Sequence, residues 1–143
     1  MKETITLKGH VTSILFNEVD GIKQSLDTSN IVVNNGKAWF IDRIGSNTPA
    51  TASLIVIGSG VTGATINDTT IESELASQNG EVSQPAATTH SVVATFGPGV
   101  GTGTVTEYAL YASGAAMIGR IVSGSITKAS GDSLQVTYQL TIG

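Results

Sequence analysis

The sequence predicts a mainly β protein, an antiparallel β-sandwich or barrel with two short helices. Three observations support this prediction. Apolar and polar residues alternate along short segments, glycine-rich turns separate these segments, and only 13% of the residues are charged. Such a low share of charge suits strands and tight turns better than a charge-rich helical bundle. With 143 residues and no linker tract, the chain is predicted to form a single domain over residues 1–143.

The N-terminal half is predicted to begin with strands over residues 4–16, 22–26 and 31–33. Val19-Asp20-Gly21 has the composition of a hairpin turn between the first two strands. Residues 1–12 are predicted to form an N-terminal arm or an edge strand that can add to a neighbour's sheet. The continuous apolar run over residues 53–57 predicts a central strand that is covered on both faces.

The C-terminal half is predicted to contain strands over residues 90–96 and 104–111, separated by a mobile glycine-rich loop. The terminal strand has the clearest pattern, because every second residue is apolar and all of these residues share one face. They are Leu134, Val136, Tyr138, Leu140 and Ile142. Residues 117–127 are predicted to pair with this terminal strand as a hairpin, with the turn at residues 130–132.

One helix is predicted after the third strand. Asn34 or Asn35 can cap it, it runs to about residue 44, and Gly45 can end it. Its inward-facing residues are predicted to be Ala38, Ile41 and Trp39.

A second helix is predicted over residues 70–76. Thr69 and Glu72 have the spacing of a capping box, and Ile71 and Leu75 are four residues apart and can dock as a pair.

Charge and composition exclude several classes of function. The net charge is −4, and the seven Lys and Arg residues are scattered, so no nucleic-acid partner is predicted. No apolar run is long enough to cross a bilayer and no signal peptide begins the chain, so we expect a soluble protein without a membrane partner. The chain has no cysteine, which excludes disulfides, thiolate metal sites and cysteine nucleophiles.

Two glycine clusters resemble phosphate-binding loops. Residues 58–63 match G-x-G-x-x-G after an apolar strand, but the residues that follow are poor helix formers. A dinucleotide site needs a helix that begins within this motif, so an ordinary glycine-rich turn is predicted instead. Residues 97–103 lack the Lys-Ser/Thr ending of a P-loop.

No catalytic, cofactor-binding or metal-ligating residue is predicted, and no cofactor. His10 and His90 have no second histidine or carboxylate at ligand spacing, and His90 is interpreted as a strand-end residue. The carboxylates of Asp68, Glu72 and Glu74 suit the first turn of the second predicted helix better than a calcium loop.

Glu107 and Arg120 are conspicuous because few charges lie within the predicted strands. One interpretation is a salt bridge or a contact with a partner. The other is that both side chains lie on the solvent face. The sequence leaves these alternatives open.

Several short motifs, taken in order, carry a resemblance to a known family. They include Asn34-Asn35-Gly36, the apolar run that ends in Gly58-Ser59-Gly60, residues 69–75, and residues 104–111 before the turn at Gly114. Over residues 31–143 their order and spacing resemble small virion proteins of tailed bacteriophages of the capsid cement or decoration type. The resemblance to N-terminal domains of phage tail-collar fibre proteins is looser. Ala109 replaces a usual glycine, and Gly63-Ala64-Thr65 lacks the usual proline.

The resemblance implies a non-enzymatic structural protein of the virion, assembled in the host cytoplasm. Its partners would be the major capsid protein or other virion proteins, and it is expected to form homo-oligomers. The sequence stops after the last strand, without a fibre shaft, so capsid cement is ranked before a neck, tail or fibre-attachment adaptor. A rival of another class is a carbohydrate-binding β-sandwich. An esterase or glycosidase is a third class, for which no positioned acid–base pair is found.

Overall fold

The computed structural model describes residues 2–45, 50–113 and 116–143. Nine strands and one helix occur in this part of the chain. They are β1 (Leu7–Asn17), β2 (Gly21–Val32), α1 (Asn34–Gly45), β3 (Ala52–Gly58), β4 (Glu74–Asn79), β5 (Glu81–Ala86), β6 (Thr89–Phe96), β7 (Gly103–Ala112), β8 (Met117–Lys128) and β9 (Ser133–Ile142).

The strands form one antiparallel sheet that is nearly closed into a barrel. Its order is β4-β3-β7-β8-β2-β1-β9-β6-β5. The mainly β, antiparallel fold predicted from the sequence is therefore confirmed. The glycine-marked hairpin is confirmed too, since Gly21 has a φ of 66° and starts β2 directly after the turn.

The two ends of the sheet are joined by consecutive strands. β4 pairs with β3 and β5 pairs with β6, and only Gly80 separates β4 from β5. The Gly80 amide donates a 2.8 Å hydrogen bond to the Ser53 carbonyl of β3. The residues after Gly80 pair with β6 instead of β3. A Cβ atom on Gly80 would lie 2.6 Å from a methyl group of Val92, so only glycine fits where the chain changes its partner strand.

β2 joins the two halves of the sheet in a similar way. Its residues up to Asn30 pair with β1, whereas Ile31 and Val32 pair with Arg120 and Gly119 of β8. The sequence predicted two strands over residues 22–26 and 31–33. Both segments belong to β2, except that Val33 lies just beyond its end.

The predicted hairpin of residues 117–127 with the terminal strand is wrong. β8 pairs with β7 and β2, whereas β9 pairs with β1 and β6. A tight turn does connect β8 to β9, with the Asp132 amide bonded to the Ala129 carbonyl, but the strands diverge after it. An alternating pattern identifies a strand and its buried face, and it does not identify the neighbouring strand.

The arm or edge strand predicted over residues 1–12 is wrong for residues 7–12. These residues form the first half of β1, which lies between β2 and β9 in the interior of the sheet. Val11 in this half is buried in the main core. Residues 2–6 precede the strand and are exposed.

The first predicted helix is confirmed over Asn34–Gly45, and the prediction that Trp39 faces inward is confirmed, since Trp39 is half-buried and packs against the main core. The other two predicted inward residues are wrong, because Ala38 is exposed and Ile41 is 65% exposed. Gly36 is the buried residue of α1. A Cβ atom there would lie 2.2 Å from the Ile118 carbonyl oxygen, so the helix approaches β8 through its glycine instead of through Ala38 or Ile41.

The second predicted helix is wrong. Residues 70–73 form bends and irregular structure, and β4 begins at Glu74. The capping-box spacing of Thr69 and Glu72 is a local preference, and tertiary contacts override it. The Glu72 carboxylate accepts hydrogen bonds from Thr62, and Ile71 is buried against the sheet.

Two hydrophobic cores lie on opposite faces of the sheet. Ile55 and Ile57 of β3 belong to the main core, and Val56 between them belongs to the second. The prediction that residues 53–57 are covered on both faces is thereby confirmed for Ile55, Val56 and Ile57. The second core consists of Val33, Val56, Ile71, Ala109 and Met117. Residues 59–73, which connect β3 to β4 and are called the strap below, contribute Ile71 to it.

Candidate functional site

The strap is the longest connection between elements whose residues are all described. Loops of this length without secondary structure are uncommon in compact domains, and they usually carry function. The strap crosses the outer face of β7 and β8, where Glu107 and Arg120 lie. These two residues hold it in place.

Glu107 of β7 is fully buried and accepts three hydrogen bonds from strap amides. Its Oε1 atom accepts from the amides of Gly60 at 2.9 Å and Ser73 at 2.7 Å. Its Oε2 atom accepts from the amide of Glu72 at 3.0 Å. One carboxylate therefore ties both ends of the strap to the sheet.

Arg120 of β8 neutralises this buried carboxylate. Its Nε and Nη2 atoms donate to Glu107 Oε2 at 3.0 and 2.9 Å. Nη1 donates to Asp68 at 2.8 Å, and Nη2 also donates to the Thr62 carbonyl at 3.0 Å. Burial lowers the pKa of Arg120, but the hydrogen bonds and charges of Asp68 and Glu107 outweigh it and raise the pKa overall.

The salt bridge that the sequence left open is thus present, and the solvent-face interpretation is wrong. Glu107 is 0% exposed and Arg120 is 3% exposed. They reach each other because β7 and β8 are adjacent and Ala109, two residues from Glu107, pairs with Arg120. Each of these two buried side chains is the counter-ion of the other, and both also form hydrogen bonds to the strap.

Asp68 and Glu72 belong to this network and not to a helix, so the helix-dipole interpretation is wrong. Burial raises the pKa of Asp68, but hydrogen bonds from Thr65 and Arg120 lower it overall. The pKa of Glu72 is lowered mainly by the amide and hydroxyl of Thr62. Glu74 begins β4, two residues after Glu72.

The G-x-G-x-x-G motif makes room for the carboxylate. A Cβ atom on Gly58 or Gly60 would lie 2.6 or 2.4 Å from Glu107 Oε1. Gly63 has no neighbour within 4 Å of such an atom. Residues 59–73 contain no helix, so the motif lacks the helix N-terminus that would hold a pyrophosphate, as the sequence predicted.

The outer surface of the strap exposes apolar side chains. Val61 is 73% exposed and Ile66 is 49% exposed. The Ile66 carbonyl accepts a 2.8 Å hydrogen bond from the amide of Asn34, so the strap is also fixed to the start of α1. The network below the strap thus holds these two exposed side chains in place, where another protein could contact them.

A second feature is a pocket of about 250 Å³ beside α1, called the α1 pocket below. It opens between α1 and the hairpin of β5 and β6. Its lining is mostly apolar and aromatic: Leu7, Trp39, Phe40, Arg43, Gln84, Ala87, Thr88, Thr89, His90, Leu140 and Ile142. The Trp39 indole donates to the Ala50 carbonyl at 2.8 Å, and His90 Nε2 lies 2.9 Å from the Ala52 carbonyl, which fixes both rings.

The histidines are not brought together. His90 is half-buried at the start of β6, as expected for a strand-end residue. His10 contacts Asp27 on the neighbouring strand β2, a pairing that the sequence spacing does not reveal because it depends on strand register. In residues 2–45, 50–113 and 116–143, no three His, Asp or Glu residues are grouped as metal ligands would be.

A further ionic cluster, at the opposite end from α1, was not predicted. Asp132 accepts hydrogen bonds from Asn17, from Lys23 and from the Ala129 amide, and these contacts lower its pKa to about 2. Its side chain is buried, so it anchors the β8–β9 turn to the β1–β2 hairpin.

The glycine-rich loop over residues 97–103 contains backbone that favours glycine. Gly99, Gly101 and Gly103 all have positive φ values.

Comparisons with known proteins find no match: no protein-family model, no curated protein and no solved structure matches the chain. In the part of the chain that is described, no helix is both long enough and apolar enough to cross a membrane.

Proposed function

We propose that this chain is a non-enzymatic structural protein of a tailed-phage virion, and that it binds and stabilises the assembled capsid as a cement or decoration protein. A neck, tail or fibre-attachment adaptor is the alternative within the same class. The order of the sequence motifs supports a place in the virion, and the strap supports a role in binding another protein.

The strap is the observation on which the proposal depends. A buried glutamate and a buried arginine hold it in one conformation, yet Val61 and Ile66 on it are exposed. A loop that is ordered before binding loses little conformational entropy when a partner covers it. We therefore assign the strap as the surface that contacts the capsid.

The mechanism follows from mass action. A protein that binds the assembled lattice and not its free subunits stabilises the lattice by its binding free energy at each copy. At a concentration 100 times the dissociation constant this amounts to about 2.7 kcal/mol per site. Many weak contacts, repeated over a shell, then give a large total.

The proposal is tested with virions produced from the genome that encodes the chain. Purified particles are analysed by quantitative mass spectrometry and by electron cryomicroscopy. Hundreds of copies per particle on the shell support the cement role. A small symmetric ring of copies at the portal or tail supports the adaptor role, and absence from the particle refutes both.

The role of the strap is tested separately with Val61→Asp. Particles that lack the chain are mixed with purified protein and separated on a gradient. We expect Val61→Asp to weaken association at least roughly tenfold, because a charge would have to be desolvated in the interface. Val19→Asp is the matched control, since Val19 is 92% exposed on the β1–β2 turn. Equal binding by both variants would remove the strap from the mechanism.

A carbohydrate-binding module is a second candidate, and the α1 pocket favours it. Trp39 and Phe40 lie in the lining of an open pocket, together with polar side chains such as Gln84 and Thr88. Aromatic rings beside hydrogen-bonding groups are what a sugar ring requires. Binding on a glycan array that is lost in Trp39→Ala, with the virion assay negative, would favour this function over the first.

A further inference from the structure

β5 has a free edge. All six of its residues are exposed, and β6 is its only hydrogen-bonded neighbour among the described strands. The exposed edge of a strand presents amide and carbonyl groups to which another extended segment can bind. Pro85 lies where the pairing with β6 is irregular and has no amide hydrogen, so residues 81–84 form the usable part of this edge.

The α1 pocket lies beside this edge. Gln84 of β5 and residues 87–90 form one wall, and α1 forms the opposite wall. Leu7, Leu140 and Ile142 complete its apolar lining. A strand that pairs with β5 points alternate side chains to the inner face of the sheet, and one of them would enter this pocket. Backbone pairing beside a side-chain pocket is how proteins bind an added strand.

Residues 2–5 of this same chain have the properties of such a strand. They are exposed, and Ile5 is 72% exposed although it is a large apolar residue. Thr6 exchanges two backbone hydrogen bonds with Gly143, at 3.0 and 2.9 Å, which fixes where the segment leaves the barrel. The amide of Ile142 donates to the Thr88 carbonyl, so this point lies beside the β5–β6 hairpin.

We propose that residues 2–5 of one copy pair with the β5 edge of a second copy, and that Ile5 fills the α1 pocket of that copy. Each segment leaves its barrel close to the end of its own β5, so a two-fold axis beside the two edges lets both copies exchange segments. Four extended residues span about 13 Å, which equals the length of the usable edge over residues 81–84. A pocket of about 250 Å³ has room for an isoleucine side chain.

This inference concerns pairing between copies of the chain and does not depend on the proposed virion function. The N-terminal arm that the sequence predicts is thereby limited to the residues before β1. Deleting residues 1–12 would remove half of an interior strand, so point substitutions are needed to test it.

The first experiment is sedimentation equilibrium of the full chain at up to roughly 100 µM, which covers the affinity range of small interfaces. We expect the wild type to dimerise and Ile5→Asp to raise the dimer dissociation constant at least roughly tenfold. Ile22→Asp is the matched control, because Ile22 is 70% exposed on β2, near the β1–β2 turn. A monomeric wild type, or an equal effect of both substitutions, would overturn the proposal.

The second experiment locates the contact. The chain has no cysteine, so Ile5→Cys and Gln84→Cys introduce the only thiols. Two differently sized fusions, one with each substitution, are mixed and oxidised mildly. A disulfide between the two chains supports exchange between copies. The variant that carries both cysteines in one chain is oxidised at high dilution, where it detects pairing within that chain. A cross-link that forms only within one chain would show that each segment binds its own pocket. This result would overturn the proposal.

Discussion

Replacing Arg120 by methionine tests whether the ion pair holds the strap. The substitution keeps an unbranched, flexible side chain, shorter than that of arginine, and removes the charge and every hydrogen bond to Glu107, Asp68 and Thr62. Glu107 then remains buried without its counter-ion. The three strap amides still donate to it, so its charge is only partly compensated.

The expected loss of stability is about 3 kcal/mol. Breaking one partner of a buried ion pair costs about 3–5 kcal/mol, and the remaining amide donors place this case at the lower end. Domains of this size have a free energy of unfolding of about 5–15 kcal/mol, so the loss is a large share of the total. The double variant Glu107→Leu, Arg120→Met should cost less than the sum of the single variants, because neither charge is left buried alone.

Urea unfolding followed by Trp39 fluorescence measures the global change, since the chain has a single tryptophan and it lies outside the strap. Hydrogen exchange then measures the strap itself, through the amides of Gly60, Glu72 and Ser73. We expect their exchange to accelerate roughly a hundredfold in Arg120→Met. Lys37→Met is the control, because Lys37 is exposed on α1. A loss below about 1 kcal/mol together with unchanged strap protection would refute the reasoning.

Three further predictions concern glycines and pH. Gly60→Ala should destabilise the protein by about 1–3 kcal/mol in urea unfolding, because its methyl group would meet the buried glutamate at 2.4 Å, whereas Gly63→Ala in the same loop should be nearly neutral. Gly36→Ala should displace α1 from β8 and change the tryptophan emission, whereas Gly45→Ala, with open space around it, should not. The folded-state pKa of Asp132 is about 2 and its unfolded value is near 3.8, so its contribution is complete above pH 5 and is lost as pH falls toward 2. The stability difference between wild type and Asp132→Asn should therefore shrink over that pH range in acid titrations of unfolding, and a constant difference would contradict the assignment.

Local patterns were sufficient to predict most of the strands and the first helix. β9 was predicted from its period-two alternation, and α1 from the asparagines at its start and the glycine at its end. These features depend on neighbouring residues along the chain. The partner of β9 could not be predicted in the same way, because β1 lies more than a hundred residues away and many strands offer a compatible face.

The strap could be predicted only in part. Glu107 and Arg120 were visible as charges within strands of low charge, and the glycine motif was visible beside an apolar strand. The sequence did not show that the glycine motif contacts Glu107 and Arg120, because this contact depends on the β3–β7–β8 order of the sheet. The combination is itself a usable signal: a lone carboxylate on an apolar strand, together with a glycine-rich turn without a following helix, indicates backbone amides that surround the carboxylate.

The strap network favours one conformation more than it adds stability. A buried ion pair is often no more stabilising than well-packed apolar residues of the same volume, so its presence needs another reason. Glu107 satisfies three amides from two ends of the strap, and Arg120 satisfies a carbonyl and a carboxylate between them. If the strap shifts, several of these groups lose their partners together, and each buried loss costs about 1–3 kcal/mol. An apolar contact would tolerate sliding, whereas this network does not. The chain thus holds Val61 and Ile66 in fixed positions, as the proposed contact with a repeating partner requires.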